Sequence, residues 1–142
     1  MSRAEREAEG LRIWALACDL EEEGRIEVAI ELYRVSARFG WAPSQLNLAG
    51  LLGDRAMPGP SPEALYWLRR LGREDPGSAA WNIAMYHRQR GRRRLYFHWL
   101  EKAAAAGEEG AVAALGDRER LKQAWWALDG VWPPPRFRLR SV

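Results

Sequence analysis

Threonine is absent from this chain, lysine occurs only twice, and Cys18 is its single cysteine. One cysteine excludes an internal disulfide and fits a reducing compartment. Without threonine, and with only a handful of valines and isoleucines, there is little from which to build a β-sheet. Alanine, leucine, arginine and glutamate dominate instead, all good helix formers, so the expected class is all-α. No apolar run approaches the roughly 18 residues that a membrane span needs. The opening MSRAEREAEG also lacks the apolar core of a secretory signal, so a cytoplasmic protein without a membrane partner is expected.

What is present points to helices of regular spacing. Eight tryptophans are many for 142 residues and read mostly as packing residues. Twenty-two basic and 19 acidic side chains leave a formal charge of +3, a mixed surface that permits acidic partners without requiring them. Ser2 and Glu5 have capping-box spacing ahead of a first helix over about 2–23, with Ile13, Leu16, Ala17 and Leu20 on its apolar face. A second helix is expected over about 25–38 and is stopped by Gly40. A third runs from Ala42 to about Asp54, its apolar row beginning at Gln45. Pro58, Gly59 and Pro60 make a loop, after which Ser61 caps a fourth helix with Pro62 in its first turn. That helix stops before Asp75, Pro76 and Gly77. A fifth occupies Ser78 to Gly91, a sixth about 92–106, and a seventh starts near Glu109 and extends toward Leu128.

The segments repeat. Trp81-Asn82-Ile83-Ala84 is echoed by Leu46-Asn47-Leu48-Ala49, by Ala113-Ala114-Leu115-Gly116 and, more faintly, by Trp14-Ala15-Leu16-Ala17. Counting from Ala29, Ala64 and Tyr96, seven positions on stand Ser36, Leu71 and Ala103. Eleven on stand Gly40, Asp75 and Gly107, and fifteen on stand Ser44, Ala79 and Ala111. Small residues at such positions let neighbouring helices approach closely, and a glycine between helices turns the chain. One hairpin cannot bury both of its faces, so successive hairpins are expected to stack.

The pattern resembles the Sel-one-like repeat family, a relative of the tetratricopeptide repeats. It does so most closely in HWLEKAAAAG followed by AVAALG, and in NLAG and WNIAMY. Asp75 for the turn glycine, and Leu71-Gly72 for a pair of alanines, depart from the family pattern. The resemblance implies a right-handed α-solenoid of about three helix-turn-helix repeats plus a C-terminal capping helix over residues 1–128. A Pro-rich basic tail, 129–142, follows. It also implies a protein-interaction module that binds a protein or peptide on the concave face of the array.

Residues adjoining the core row on the first helix of each hairpin are the candidates for that face: Trp14, Ala15 and Cys18; Leu46, Asn47 and Asp54; Trp81, Asn82, Met85, Arg88 and Gln89; then Ala113, Asp117 and Arg120. An asparagine amide donates and accepts at once, which suits peptide backbone, although Asn47 and Asn82 can equally bond within the stack. A second candidate is the basic patch Arg88, Arg90, Arg92, Arg93 and Arg94. It could grip phosphates of a nucleic acid or an acidic partner. A small bacterial immunity-type neutralising protein is a third reading, suggested by size alone. No catalytic constellation is apparent. His87 and His98 stand apart without carboxylate or cysteine at metal-ligand spacing, Cys18 lacks a nearby histidine, and no glycine loop could cradle phosphate. No enzyme activity, metal or cofactor is expected. The tail can either cap the last helix through Trp132 and Phe137 or dock elsewhere as a short strand, and Trp125 and Trp126 either cap the array or leave an apolar end for self-association.

Overall fold

The computed structural model describes residues 1–117. The expected extension of the last helix to Leu128, its capping by Trp125 and Trp126, Arg120 and the whole tail lie outside those residues. The described residues form seven helices and no strand: α1 (Arg3–Glu22), α2 (Ile26–Arg38), α3 (Ala42–Ala56), α4 (Pro62–Leu71), α5 (Pro76–Gln89), α6 (Arg93–Ala105) and α7 (Glu109–Gly116). They divide between two compact units, one of residues 1–56 and 60–74, the other of 57–59 with 75 onward. No described helix is long and apolar enough to cross a membrane.

Local chemistry sets the helix starts. Ser2 Oγ accepts from the Glu5 amide at 3.1 Å while the Glu5 carboxylate accepts from the Ser2 amide, which completes the capping box. Ser61 accepts from the Ala64 amide with Pro62 in the first turn. The end of α4 corrects the sequence expectation. Asp75 and Pro76 belong to the start of α5 rather than to a stop, because the Asp75 carboxylate accepts from the Ser78 amide at 3.1 Å. In the other two copies the same repeat position carries Gly40 and Gly107, both left-handed with φ near +90°. Where the glycine is missing, α4 stops at Leu71, two residues earlier in the repeat than α2 and α6 do, and a side-chain cap begins the next helix.

Within the first unit the helices pack as two hairpins, α1 with α2 and α3 with α4, joined by α2 on α3 and a lesser contact of α1 with α3. Burial follows the repeat. Its first position (Ala29, Ala64, Tyr96), the one four on (Tyr33, Leu68, Leu100), the one seven on (Ser36, Leu71, Ala103) and the one fifteen on (Ser44, Ala79, Ala111) are all buried. The small residues have a visible reason. Ser36 Oγ donates to the Gly10 carbonyl at 2.6 Å and shares a hydrogen bond with Ser44 Oγ, so one buried hydroxyl pair joins α1, α2 and α3. Leu16 departs from expectation: it is exposed, since it lies on the side of α1 that meets neither α2 nor α3.

Across α2 and α4, Arg34 grips Glu63 with two parallel bonds, Nε to Oε2 at 2.8 Å and Nη2 to Oε1 at 2.9 Å. Trp67 Nε1 donates to the same carboxylate at 3.1 Å, and Glu31 takes the remaining Arg34 nitrogen. The Arg34 hydrogen bonds hold the Glu63 carboxyl below the usual carboxylate range, against the opposing effect of burial. A carboxyl depressed in the folded state stabilises above its unfolded pKa and loses that contribution as pH falls. Because Glu63 is part-exposed, Glu63→Gln is expected to cost about 1 kcal/mol at neutral pH. It should also flatten the acid limb of stability, a difference that urea unfolding at pH 7 and below pH 4 will measure.

The second unit stacks α5 on α6 and α6 on α7. Ala80, Ala84, Tyr96, Phe97, Leu100, Ala103 and Ala111 form its core, with Trp81, Met85, Trp99 and Leu115 packed around them. His87 is buried edge-on to Tyr86, as its place on the apolar face of the fifth helix implies.

Candidate functional site

The first unit carries a face shared by α1 and α3. Helical periodicity places Glu7, Leu11, Trp14, Cys18 and Glu21 with Glu22 along one side of α1, and Pro43, Asn47, Gly50 and Asp54 along one side of α3. Buried Tyr33, from α2, fixes how these sides meet. Its hydroxyl donates to Glu21 Oε1 at 2.6 Å, accepts from Asn47 Nδ2 at 3.2 Å and lies 3.4 Å from Cys18 Sγ. A phenol has one proton, and the short bond to the carboxylate takes it; the Cys18 thiol can then donate to the phenol oxygen, which accepts two bonds. Burial first, then the bond to the Glu21 carboxylate, push the Tyr33 phenol well above its ordinary pKa, while the Asn47 bond opposes this. The group is therefore a neutral strut, not an acid–base centre.

Asn47 is thus half-buried, with its amide N–H committed to that strut. Trp14 is half-buried and its indole N–H is enclosed without a hydrogen-bond partner. Leu11 is exposed on the same side of α1, and Asp54 is exposed at the far end of α3. Leu46 and Leu51, partly exposed, flank the α3 stripe. The face therefore offers apolar side chains around polar groups fixed by Tyr33, with carboxylates toward one end.

The remaining candidates belong to the second unit. The Trp81 ring packs onto Gly110 of α7, so close that a Cβ there would meet it at 3.2 Å. Asn82 Nδ2 donates to the Ser78 carbonyl one turn back at 2.8 Å. Met85 packs against the core and its sulfur lies 3.9 Å from Arg88 Nη1. Gln89 is exposed at the helix end.

The five arginines do not form one knob. Arg88 is largely enclosed, its guanidinium 5.9 Å from the centre of the Tyr96 ring, and burial lowers its pKa. Arg90 lies over the Tyr86 ring at 3.7 Å and donates to the carbonyls of Gly59 at 2.9 Å and Tyr86 at 3.3 Å, holding residues 57–59 to α5. Arg92 and Arg94 are exposed and Arg93 is half-exposed at the start of α6. The patch on the surface is thus the last three, and the first two are packing cations.

Sequence reasoning named Trp14, Cys18, Asn47 and Asp54 but placed Tyr33 only among apolar residues. The signal was available: Tyr33 stands where the other copies carry Leu68 and Leu100, and a buried hydroxyl needs partners. Among the described residues, no group of three or more His, Cys, Asp or Glu side chains is arranged to hold a metal ion. No protein-family model matches the sequence, and comparisons with curated proteins and with solved structures find no match.

Proposed function

We propose that this chain is a non-enzymatic protein-interaction module of the Sel-one-like type. In this reading its hairpins belong to a right-handed solenoid of about three repeats with a capping helix, and a protein or peptide binds the concave face made by the first helix of each hairpin. The observation that carries the reading is the α1–α3 face itself. Leu11 and part-exposed Trp14 line it, the Tyr33 strut holds its polar groups in place, and the repeat core lies behind it. Pre-positioned polar groups among exposed apolar ones are what a peptide chain needs for affinity and register.

A second reading, an acidic or nucleic-acid partner, draws support from Arg92, Arg93 and Arg94. They crowd the N-terminus of α6, whose dipole disfavours cations and whose start has no side-chain cap. The two readings separate in one experiment: capture of the native partner from source cells, identified by mass spectrometry, using wild type and two variants. Trp14→Ala with Asn47→Ala is expected to lose capture by tenfold or more, with little dependence on salt. Charge reversal of Arg92 and Arg94 should leave it intact. The opposite outcome, with a steep salt dependence, establishes the second reading in its place.

A further inference from the structure

The hairpin of α1 and α2 has two broad sides, and the first unit covers only one of them. Tyr33 and Ser36 mark the side of α2 turned to α1, and Arg34, bonded to Glu63, marks the side turned to α4. At about 100° per residue, Val28, Leu32 and Val35 lie on the side of α2 turned away from α4. On α1, Cys18 lies against Tyr33, and Leu16, two residues back, points the other way. These four side chains share the outer side of the hairpin.

The repeat register shows what such a side does in the other copies. Leu16 aligns with Leu48 and Ile83, which are 0% and 3% exposed, and Leu32 aligns with Trp67, at 4%. Here the positions are open: Leu16 is 48%, Val28 43% and Val35 38% exposed, with Leu32 half-buried. A hairpin at the end of an array normally turns a polar side outward. Valine is also a weak helix former, so two on one open stripe do nothing for α2 itself.

The charge of the hairpin specifies what covers this side. Its turn end, residues 19–25, carries Asp19, Glu21, Glu22 and Glu23 against Arg25 alone. Its other end carries Arg3, Arg6 and Arg38 against Glu5 and Glu7. Pairing within an end, such as Arg3 with Glu7, leaves its net charge unchanged. The hairpin is thus negative at one end and positive at the other, which makes it complementary to an antiparallel copy of itself. Arg12 and Asp19 also flank Leu16 along one edge, four residues before it and three after. A two-fold axis at Leu16 brings each Arg12 to Asp19 of the second copy.

We infer that the outer side of the α1–α2 hairpin is a self-association surface, on which two copies pack α1 against α1 and α2 against α2, each pair antiparallel. Leu16 and Leu32 then meet their own counterparts, and Val28 meets Val35. Helices of 20 and 13 residues are about 30 and 20 Å long and lie about 10 Å apart, so two such sides bury roughly 1,000 Å². That is the low end for a specific interface and implies a reversible dimer with a Kd of about 10–100 µM. Trp14 and Asn47 lie away from this side, so the inference stands apart from the peptide-binding reading.

Sedimentation equilibrium of the full chain, over concentrations spanning that Kd, tests it. The mass is expected to rise from monomer to dimer. Val28→Ala with Val35→Ala should raise the melting temperature of the dilute chain, because alanine is the better helix former, yet weaken the dimer by about tenfold or more. In a Cys18→Ser background, Leu32→Cys should oxidise to a disulfide-linked dimer, whereas Val35→Cys should cross-link only when mixed with Val28→Cys. A monomer at every concentration, an association unaffected by the alanine pair, or a Leu32→Cys chain that does not cross-link overturns the inference. Association lost instead with Val112→Lys, on the exposed side of α7, assigns it to that helix and overturns the inference equally.

Discussion

Tyr33→Ala is expected to cost about 4 kcal/mol, the largest effect of any single truncation near the α1–α3 face. The ring is fully buried, and its hydroxyl joins two helices that otherwise touch little. Two milder variants separate packing from polarity. Tyr33→Phe keeps the ring but strands Glu21 and Asn47, and is expected to cost about 1 kcal/mol, because both partners can still reach water. Tyr33→Leu, the residue type of the other two copies, should retain the helical fold and release the same polar groups. Urea unfolding followed by circular dichroism orders the three; a Tyr33→Phe variant as stable as wild type would show that the strut holds nothing. The raised phenol pKa adds a sign. A group protonated more tightly in the folded state contributes fully below its unfolded pKa of about 10, and that contribution is lost as pH rises beyond it. Tyr33 should therefore resist alkaline ionisation until the unit unfolds, which absorbance of tyrosinate reports.

Gly10→Ala carries the second large effect. Alanine favours a helix by about 1 kcal/mol over glycine. Here its Cβ would stand 2.7 Å from Trp41 Cβ, an atom that cannot swing away because it is fixed to the backbone. Overpacking of this kind costs about 1–3 kcal/mol before the loss of the Ser36 bond to the Gly10 carbonyl is counted. The net expectation is a loss of about 2 kcal/mol. The matching control is Gly50→Ala, the same chemical change in the middle of another helix of the same unit. With open space at its Cβ, that variant should gain about 1 kcal/mol. Melting curves of the two should move in opposite directions; a shift of the same sign in both would refute the packing assigned to one of them.

The two glycines show how far the sequence could be read. Spacing alone located both inside helices, and it could not tell a glycine required by a neighbour from one that meets nothing. That difference lies in Trp41, thirty-one residues away along the chain and in contact with Gly10 only once α2 has carried the chain back to the turn before α3. The arginines teach the same lesson. Five in a short run look like one basic patch, but aromatic rings of α5 and α6 draw Arg88 and Arg90 inward, leaving the patch to Arg92, Arg93 and Arg94. Asn82 was equally ambiguous, since an amide bonded to its own helix and one presented to a partner have the same sequence.

By itself the sequence determined which segments are helical, the caps at Ser2 and Ser61 and the repeat register, because these rest on interactions a few residues apart and on periodicities of the chain. Ser2 with Glu5, Ser61 with Ala64, and the small residues at Ser44, Ala79 and Ala111 needed no tertiary knowledge. Even Asp75, which replaces a turn glycine, keeps the register by capping the next helix. Only the tertiary structure decided which polar side chains are already committed and which face is left bare. Hydrogen bonds between helices, such as those of Tyr33 to Glu21 and Asn47, depend on distances that no local pattern encodes.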